Sequence, residues 1–211
     1  MRSLFMVLVV CMSCLAAYAQ QLQEIKLNDP DKGRGTAVIK ALSDRVSVRE
    51  FNEKALDIQD LSDLLWAANG INRPDGRRTA PTASNKQEID VYAILPEGAY
   101  LYDAEAHSLK PIEKGDFRAL VAGPQEFAQS APLSLVIVAN LEKLGDATLE
   151  QTRLIAAVDV GIVCQNINIF CSAVGFANVP RATMNKAELQ KVLKLSETQI
   201  PLMNNPLGYQ K

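Results

Sequence analysis

The stretch that most constrains the fold is residues 148–173. Leu154, Ile155, Val158, Ile162, Ile169 and Phe170 recur there at helical spacing, and the segment is apolar almost all round. Gln165, Asn166 and Asn168 interrupt it and Asp159 sits inside it, which marks the core helix of a globular domain and not a bilayer span. Residues 133–139 are nearly all apolar and rich in β-branched side chains, so they predict a central strand buried on both faces. Residues 91–95 predict another strand. Residues 100–102 and 109–112 flank a polar turn at 103–108 and predict a hairpin. Residues 176–179 predict a short strand and 200–209 a closing strand. Helices are expected at 36–42, over 61–68, as a pair within 116–129, and at 185–195. Asp57 is the expected cap of the helix at 61–68, and Asn69-Gly70 its expected stop. Strands and helices mix without strict alternation, so the class is α+β. The chain's 211 residues suffice for one well-cored domain.

The first nineteen residues form a separate unit. Arg2, an apolar run at 4–10, and Ala17-Tyr18-Ala19 before Gln20 have the layout of a cleavable secretory signal. The expectation is an exported, periplasmic protein with an arm at 20–35 and the domain at 36–211. Cys11 and Cys14 leave with the signal, and Cys14 lacks the aliphatic residue three before it that lipidation would want. Cys164 and Cys171 remain, seven apart on one helix, about 10 Å between Cα atoms and too far for a disulfide. With His107 as the one histidine, in a polar turn of surface type, no standard zinc site is expected. The net charge of -2 shows no field that would favour nucleic acid.

Three segments carry groups suited to a ligand. In residues 45–51 run extended, Arg45, Ser47 and Arg49 share one side, with Val46, Val48 and Phe51 as anchors. Two guanidinium forks and a hydroxyl suit a phosphate or a polar ring edge; a solvated basic loop is the alternative. Residues 78–87 are small, polar and turn-forming, and Asn85 and Gln87 bring amides that both donate and accept. Residues 178–183, with Pro180, Arg181 and Ala182, lie at a strand-to-helix turn whose backbone N–H groups can meet an anionic oxygen. Each of these two also reads as an ordinary connection.

Together the segments resemble the nitroreductase family. The R-x-S-x-R/K-x-F strip is Arg45, Ser47, Arg49 and Phe51, and the P-S-x-x-N-x-Q loop is Pro81, Thr82, Asn85 and Gln87. Leu64-Leu65-Trp66-Ala67-Ala68-Asn69-Gly70 matches an L-L-W-A-A-x-G pattern, and Pro206-Leu207-Gly208-Tyr209 looks like the family's closing strand. The likeness covers roughly residues 36–211 and is strongest to the branch that includes thiazoline-forming peptide oxidases. It implies a central, mainly antiparallel sheet flanked by helices, a domain-sharing homodimer, and FMN held without a covalent bond. It assigns Arg45, Ser47 and Arg49 to the phosphate, ribityl and pyrimidine side, Asn85 and Gln87 to the ring, and Pro180, Arg181 and Ala182 to the N5 edge. Family members often carry an acidic residue and a glycine where this chain has Ala182 and Thr183. Many continue past the closing strand with a lysine and an arginine for the phosphate, a place for which this chain offers Lys211. The implied activity is an FMN-dependent oxidoreductase working by a ping-pong cycle through flavin N5, with no catalytic side chain required. Its small-molecule substrate and its electron donor are left open, since NADH and NADPH are not expected outside the cytoplasm. A catalytically silent member that binds a flavin or another flat ligand is the alternative.

Overall fold

In the computed structural model, residues 21–211 are described, and the expected signal at 1–19 lies outside the described residues. The elements in chain order are β1 (Ile25–Lys26), α1 (Val38–Asp44), α2 (Ile58–Asn69), β2 (Ile89–Leu95), β3 (Gly98–Asp103), β4 (Ser108–Lys114), α3 (Arg118–Ala122), β5 (Leu133–Asn140), α4 (Glu150–Val174), β6 (Phe176–Asn178), α5 (Lys186–Val192) and β7 (Gln199–Tyr209). The strands form one sheet in the order β1-β4-β3-β2-β5-β7-β6, every neighbouring pair antiparallel.

Strand β5 shows why its sequence is continuously apolar. Side chains alternate between faces, and both faces are covered. Leu133, Leu135, Ile137 and Ala139 join Leu64 and Leu65 of α2 and Val160, Val163 and Ile167 of α4 in the larger core. Val136 and Val138 point the other way, against Val121 of α3, Leu189 of α5 and Leu193. Strand β2 repeats the division, with Val91 and Ala93 on the first side and Tyr92 and Ile94 on the second. Helix α4 is half core helix. Ala156, Val160, Val163, Cys164, Ile167 and Cys171 are buried, whereas Leu154 and Val158 are 64% and 56% exposed.

Four local expectations are corrected. Gly70 does end α2, but in extended conformation at φ -77°, not left-handed. Glycine is required there because a Cβ would fall 2.4 Å from the Trp66 ring and 2.7 Å from Trp66 Cα. Asp57 precedes α2 without making a side-chain cap bond; its carboxylate faces Lys54. Residues 21–35 are docked on the domain. β1 extends the sheet beside β4, Leu22, Ile25 and Leu27 pack on the core, and Arg34 pairs with Asp60 and Asp63. His107 is half-buried, its ring nitrogens 2.8 Å from Ser62 Oγ and 2.9 Å from Tyr102 Oη, and burial lowers its pKa. Cys164 and Cys171 are free and buried, and burial pushes the Cys164 thiol up to about 11.

Candidate functional site

The strip at 45–51 leaves α1 at Arg45, whose ψ of 117° turns the backbone extended. It then runs along the outer end of the sheet. Val48 N donates to Asn178 O at 3.0 Å, Asn52 N to Tyr209 O at 2.9 Å, and Phe51 bridges to Gln210. Phe51 is buried against Ala131, Ala177 and Val179, with Val48 packed beside them. These two residues anchor the strip. Val46 does not, being 64% exposed. Arg45 and Arg49 are exposed, and among the described residues neither has a hydrogen bond or ion pair. Arg49 lies 5.9 Å from the Phe127 ring centre. Lys211 follows the residue that pairs with Phe51, so it stands at the end of the strip. A shallow cavity of about 180 Å³ sits behind the strip, lined by Val46, Val48, Asn168 and Asn178 among others.

The turn at 178–183 reaches the same end of the sheet through two networks. Asn178 Nδ2 donates to Asn168 Oδ1 at 2.7 Å, and Asn205 Nδ2 donates to Asn168 Oδ1 at 3.1 Å and Asn178 Oδ1 at 2.9 Å. Cys164 Sγ donates to Asn205 Oδ1 at 3.2 Å. Buried amides this fully paired fix the geometry of three elements at once. Sequence reasoning missed this triad, although Asn168 was visible as a polar residue in an apolar helix. Arg181 is buried and its guanidinium is fully engaged. It donates to Gln125 Oε1 at 2.7 Å, Ala122 O at 2.7 Å, Asn204 Oδ1 at 3.0 Å and Val121 O at 3.2 Å. Its side chain therefore pins the turn to α3 and β7, its own N–H and C=O are both bonded to Asn204, and what remains for a ligand here is the backbone N–H of Ala182 and Thr183. Pro180 is half-buried and Ala182 exposed.

The loop at 82–87 is built under strain. Ser84, Asn85 and Gln87 adopt φ of 51°, 54° and 49°, the left-handed region that non-glycine residues enter at a cost. Its ties explain why the strain persists. Ala83 N donates to Asp159 Oδ2 at 2.8 Å, Gln87 N to Thr82 Oγ1 at 2.9 Å, and Lys143 Nζ to Gln87 O at 3.0 Å. Gln87 Nε2 is directed to Gly76 O at 3.1 Å, whereas Asn85 is exposed and its amide meets only Gln87, at 3.4 Å. Beneath the loop Glu88 is fully buried, and neither of its carboxylate oxygens makes a hydrogen bond of normal geometry. Burial, reinforced by the neighbouring Asp159 carboxylate, pushes its pKa up to about 7.

The strip and the loop both rest on α4, at different stations. The loop is tied to Asp159, and α1, leading into the strip, is tied to Ser172, whose Oγ donates to Ala41 O at 2.7 Å. Thirteen residues of helix separate those ties, about 20 Å of axis. Among the described residues, no group of three or more His, Cys, Asp or Glu side chains is placed to hold a metal.

These features describe an α+β protein whose antiparallel sheet is flanked by helices, with an arginine strip at one station and an amide loop at another. The nitroreductase family model matches residues 42–209, and the chain belongs to that family. A Methanocaldococcus jannaschii protein assigned by name to the nitroreductases is 31% identical over 196 residues, 89% of this chain and 92% of that protein. A crystal structure of a Ralstonia eutropha protein described as a nitroreductase superposes with a TM-score of 0.84 at 33% identity, covering 92% of this chain and 93% of that one. The fold is shared also with a chain of the E. coli microcin synthetase McbBCD complex, at a TM-score of 0.71 and 18% identity over 93% of this chain and 77% of that one. Membership places the chain among oxidoreductases of flavin type.

Proposed function

We propose that two copies of this chain together form an FMN-dependent oxidoreductase that passes electrons to or from a small molecule. The observation that carries this reading is the separation of two unsatisfied donor sets along α4. Arg45, Ser47, Arg49 and Lys211 offer positive charge and a hydroxyl suited to a phosphate and the pyrimidine edge. Asn85 offers a free carboxamide suited to a ring with alternating donors and acceptors. On the N-terminal side of the loop's tie at Asp159 the exposed face of α4 carries Leu154 and Val158, and Val38, Ile39 and Leu42 of α1 are 64%, 78% and 50% exposed. A second copy packed antiparallel on that face would cover the apolar surface and bring one chain's loop to the other's strip. FMN, when bound, supplies the reversible two-electron chemistry. The chain's residues hold it, exclude water, and place positive charge where the reduced ring gains negative charge. Gln87, Pro180 and Ala182 complete the lining, with Arg181 fixing the turn from behind.

We further propose export, with cleavage after Ala19 giving a mature chain that begins at Gln20. The test of function is direct. The purified protein is expected to be yellow, to release FMN on denaturation, and to cycle between reduced and oxidised spectra when given dithionite and then a quinone. A colourless protein that fails to take up FMN in a titration would refute the reading. Bound FMN that reduces but passes electrons to no quinone or nitro compound would favour a silent binding protein.

A further inference from the structure

Between α2 and the strained loop, residues 71–80 fold into a tight turn whose ends, Ile71 and Ala80, pack on the core while its middle stands clear of it. Ile71 and Arg78 pair across it, Asn72 N donates to Arg77 O at 3.1 Å, and Gly76 N to Arg73 O at 3.1 Å. Gly76 has φ +77°, a conformation that favours glycine. Trp66 Nε1 donates to Ile71 O at 2.9 Å and fastens the turn to α2. The turn brings Arg73, Arg77 and Arg78 to one cleft of about 440 Å³, whose other wall is the loop with Thr82 and Asn85.

The charge of this cleft is only partly answered within the chain. Arg77 lies 3.5 Å from Asp75 on the outer side of the turn. Arg73 donates to Asn72 Oδ1 at 2.9 Å and Arg78 O at 3.3 Å, both uncharged acceptors. The Arg78 side chain has no hydrogen bond or ion pair among the described residues, and its Nε is buried without an acceptor. Asp90 is within electrostatic reach of Arg78, but it is itself largely buried, with Gln199 as its polar neighbour. Three guanidinium groups thus converge with two carboxylates in reach, Asp75 at the turn and the buried Asp90, in a chain whose net charge is -2. Like charges repel, and a buried donor left without an acceptor is costly, so the arrangement does not stabilise the free fold. A planar oxyanion would satisfy it, because a guanidinium fork matches a carboxylate, phosphate or sulfonate in two parallel bonds.

We propose that this cleft is an anion subsite for the reacting small molecule, so that the enzyme prefers substrates bearing a carboxylate, phosphate or sulfonate. The proposal rests on the oxidoreductase reading above, because Asn85 belongs both to the cleft wall and to the loop expected at the flavin ring. Arg73 and Arg78 grip the anion, and the redox-active part of the molecule extends toward Asn85. The same anion chemistry has a second source, the phosphate of FMN itself, which the proposal assigns to the strip at 45–49.

The test is equilibrium binding of two probes, 4-nitrobenzoate and its neutral analogue 4-nitrobenzamide, to the protein with and without FMN, alongside titrations with FMN and riboflavin. Wild type is expected to bind the carboxylate at least about tenfold more tightly than the amide, with the preference shrinking as salt rises. Arg78→Gln, and separately the exposed Arg73→Gln, are each expected to cut that preference about tenfold, equivalent to about 1.4 kcal/mol. Arg78→Lys should retain part of it, through charge without the fork. The ratio of FMN to riboflavin affinity should not change in any of them. Equal binding of the two probes by wild type would overturn the proposal. A loss of FMN affinity without loss of riboflavin affinity in the arginine variants would also overturn it, by giving the cleft to the cofactor's phosphate. The two readings fail separately. Flavin bound without charge preference sinks the subsite alone, whereas charge preference in a protein that takes up no flavin keeps the anion site and sinks the redox function.

Discussion

Replacing Glu88 by Gln should make the protein more stable near pH 8 and leave it nearly unchanged near pH 5. Glu88 immediately precedes β2 beneath the strained loop, fully buried, with Asp159 and Thr82 as its polar neighbours. Burial is the larger cause and the Asp159 carboxylate the next, and together they raise its pKa from 4.5 to about 7. The fold therefore holds a proton that the unfolded chain releases earlier. The stability this proton contributes is complete below pH 4.5 and is lost as pH rises through about 7. At about 1.36 kcal/mol per unit, the gap sets a ceiling of roughly 3 kcal/mol on that loss. Glutamine has the same shape and cannot ionise, so its variant lacks this slope. The assay is urea unfolding of both proteins at pH 5, 6, 7 and 8, at one fixed protein concentration because association shifts apparent stability. The wild-type curve should fall away from the Gln variant by about 2–3 kcal/mol between the ends of that range. Flavin affinity should follow, since Asp159 also holds Ala83 N and hence the loop. Parallel stability curves would refute the reasoning and mean that Glu88 keeps its charge inside the fold.

Val158→Glu puts a charge at the centre of the exposed stripe on α4 and is expected to weaken self-association at least about a hundredfold, about 3 kcal/mol. Light scattering over a dilution series checks it, and a wild-type chain that is monomeric while holding FMN would refute the shared site. Arg49→Gln removes the positive charge placed at the pyrimidine side, and a loss of about 1.5–3 kcal/mol is expected to be larger for the reduced than for the oxidised state. Spectroelectrochemistry at saturating FMN should then show a lower potential, and an unchanged potential with weaker binding would make Arg49 a phosphate anchor. Gly70→Ala should cost about 1–3 kcal/mol by pushing the Trp66 ring from its place, read as a lower unfolding midpoint with a change in tryptophan fluorescence.

Much of this molecule was legible because its periodicities are simple. The two-residue alternation hidden in β5 and β2 and the 3.6-residue pattern of α2 and α4 need no knowledge of tertiary partners, and each element formed close to its expected place. What sequence spacing does not contain is who takes each donor. Arg45 and Arg181 look alike on paper, yet one has no partner and the other has four acceptors, because only Arg181 follows a strand end that faces α3. Gly70 reads as a left-handed helix stop until the Trp66 ring is seen against it. His107 reads as a surface turn until α2 delivers Ser62 to its ring. The Asn168–Asn178–Asn205 triad joins residues from a helix and two strands, so no local pattern announces it.

Helix α4 shows how one sequence signature can carry two meanings. A helix that is apolar on nearly every side needs cover on every side, and this chain covers one. The buried face, from Ala156 to Cys171, meets the sheet and α2. Leu154 and Val158 remain largely open to solvent. A purely internal helix would leave no such remainder, and a surface helix would have placed charge there. On the proposed function the remainder, which begins beside the loop's tie at Asp159, takes a second copy, and two antiparallel chains enclose two sites. On that reading the apolar circumference of α4 records two burials, the first on folding and the second on pairing. The strained loop above Asp159 and the open strip near Ser172 are then each half of a site that is completed only when the second burial has taken place.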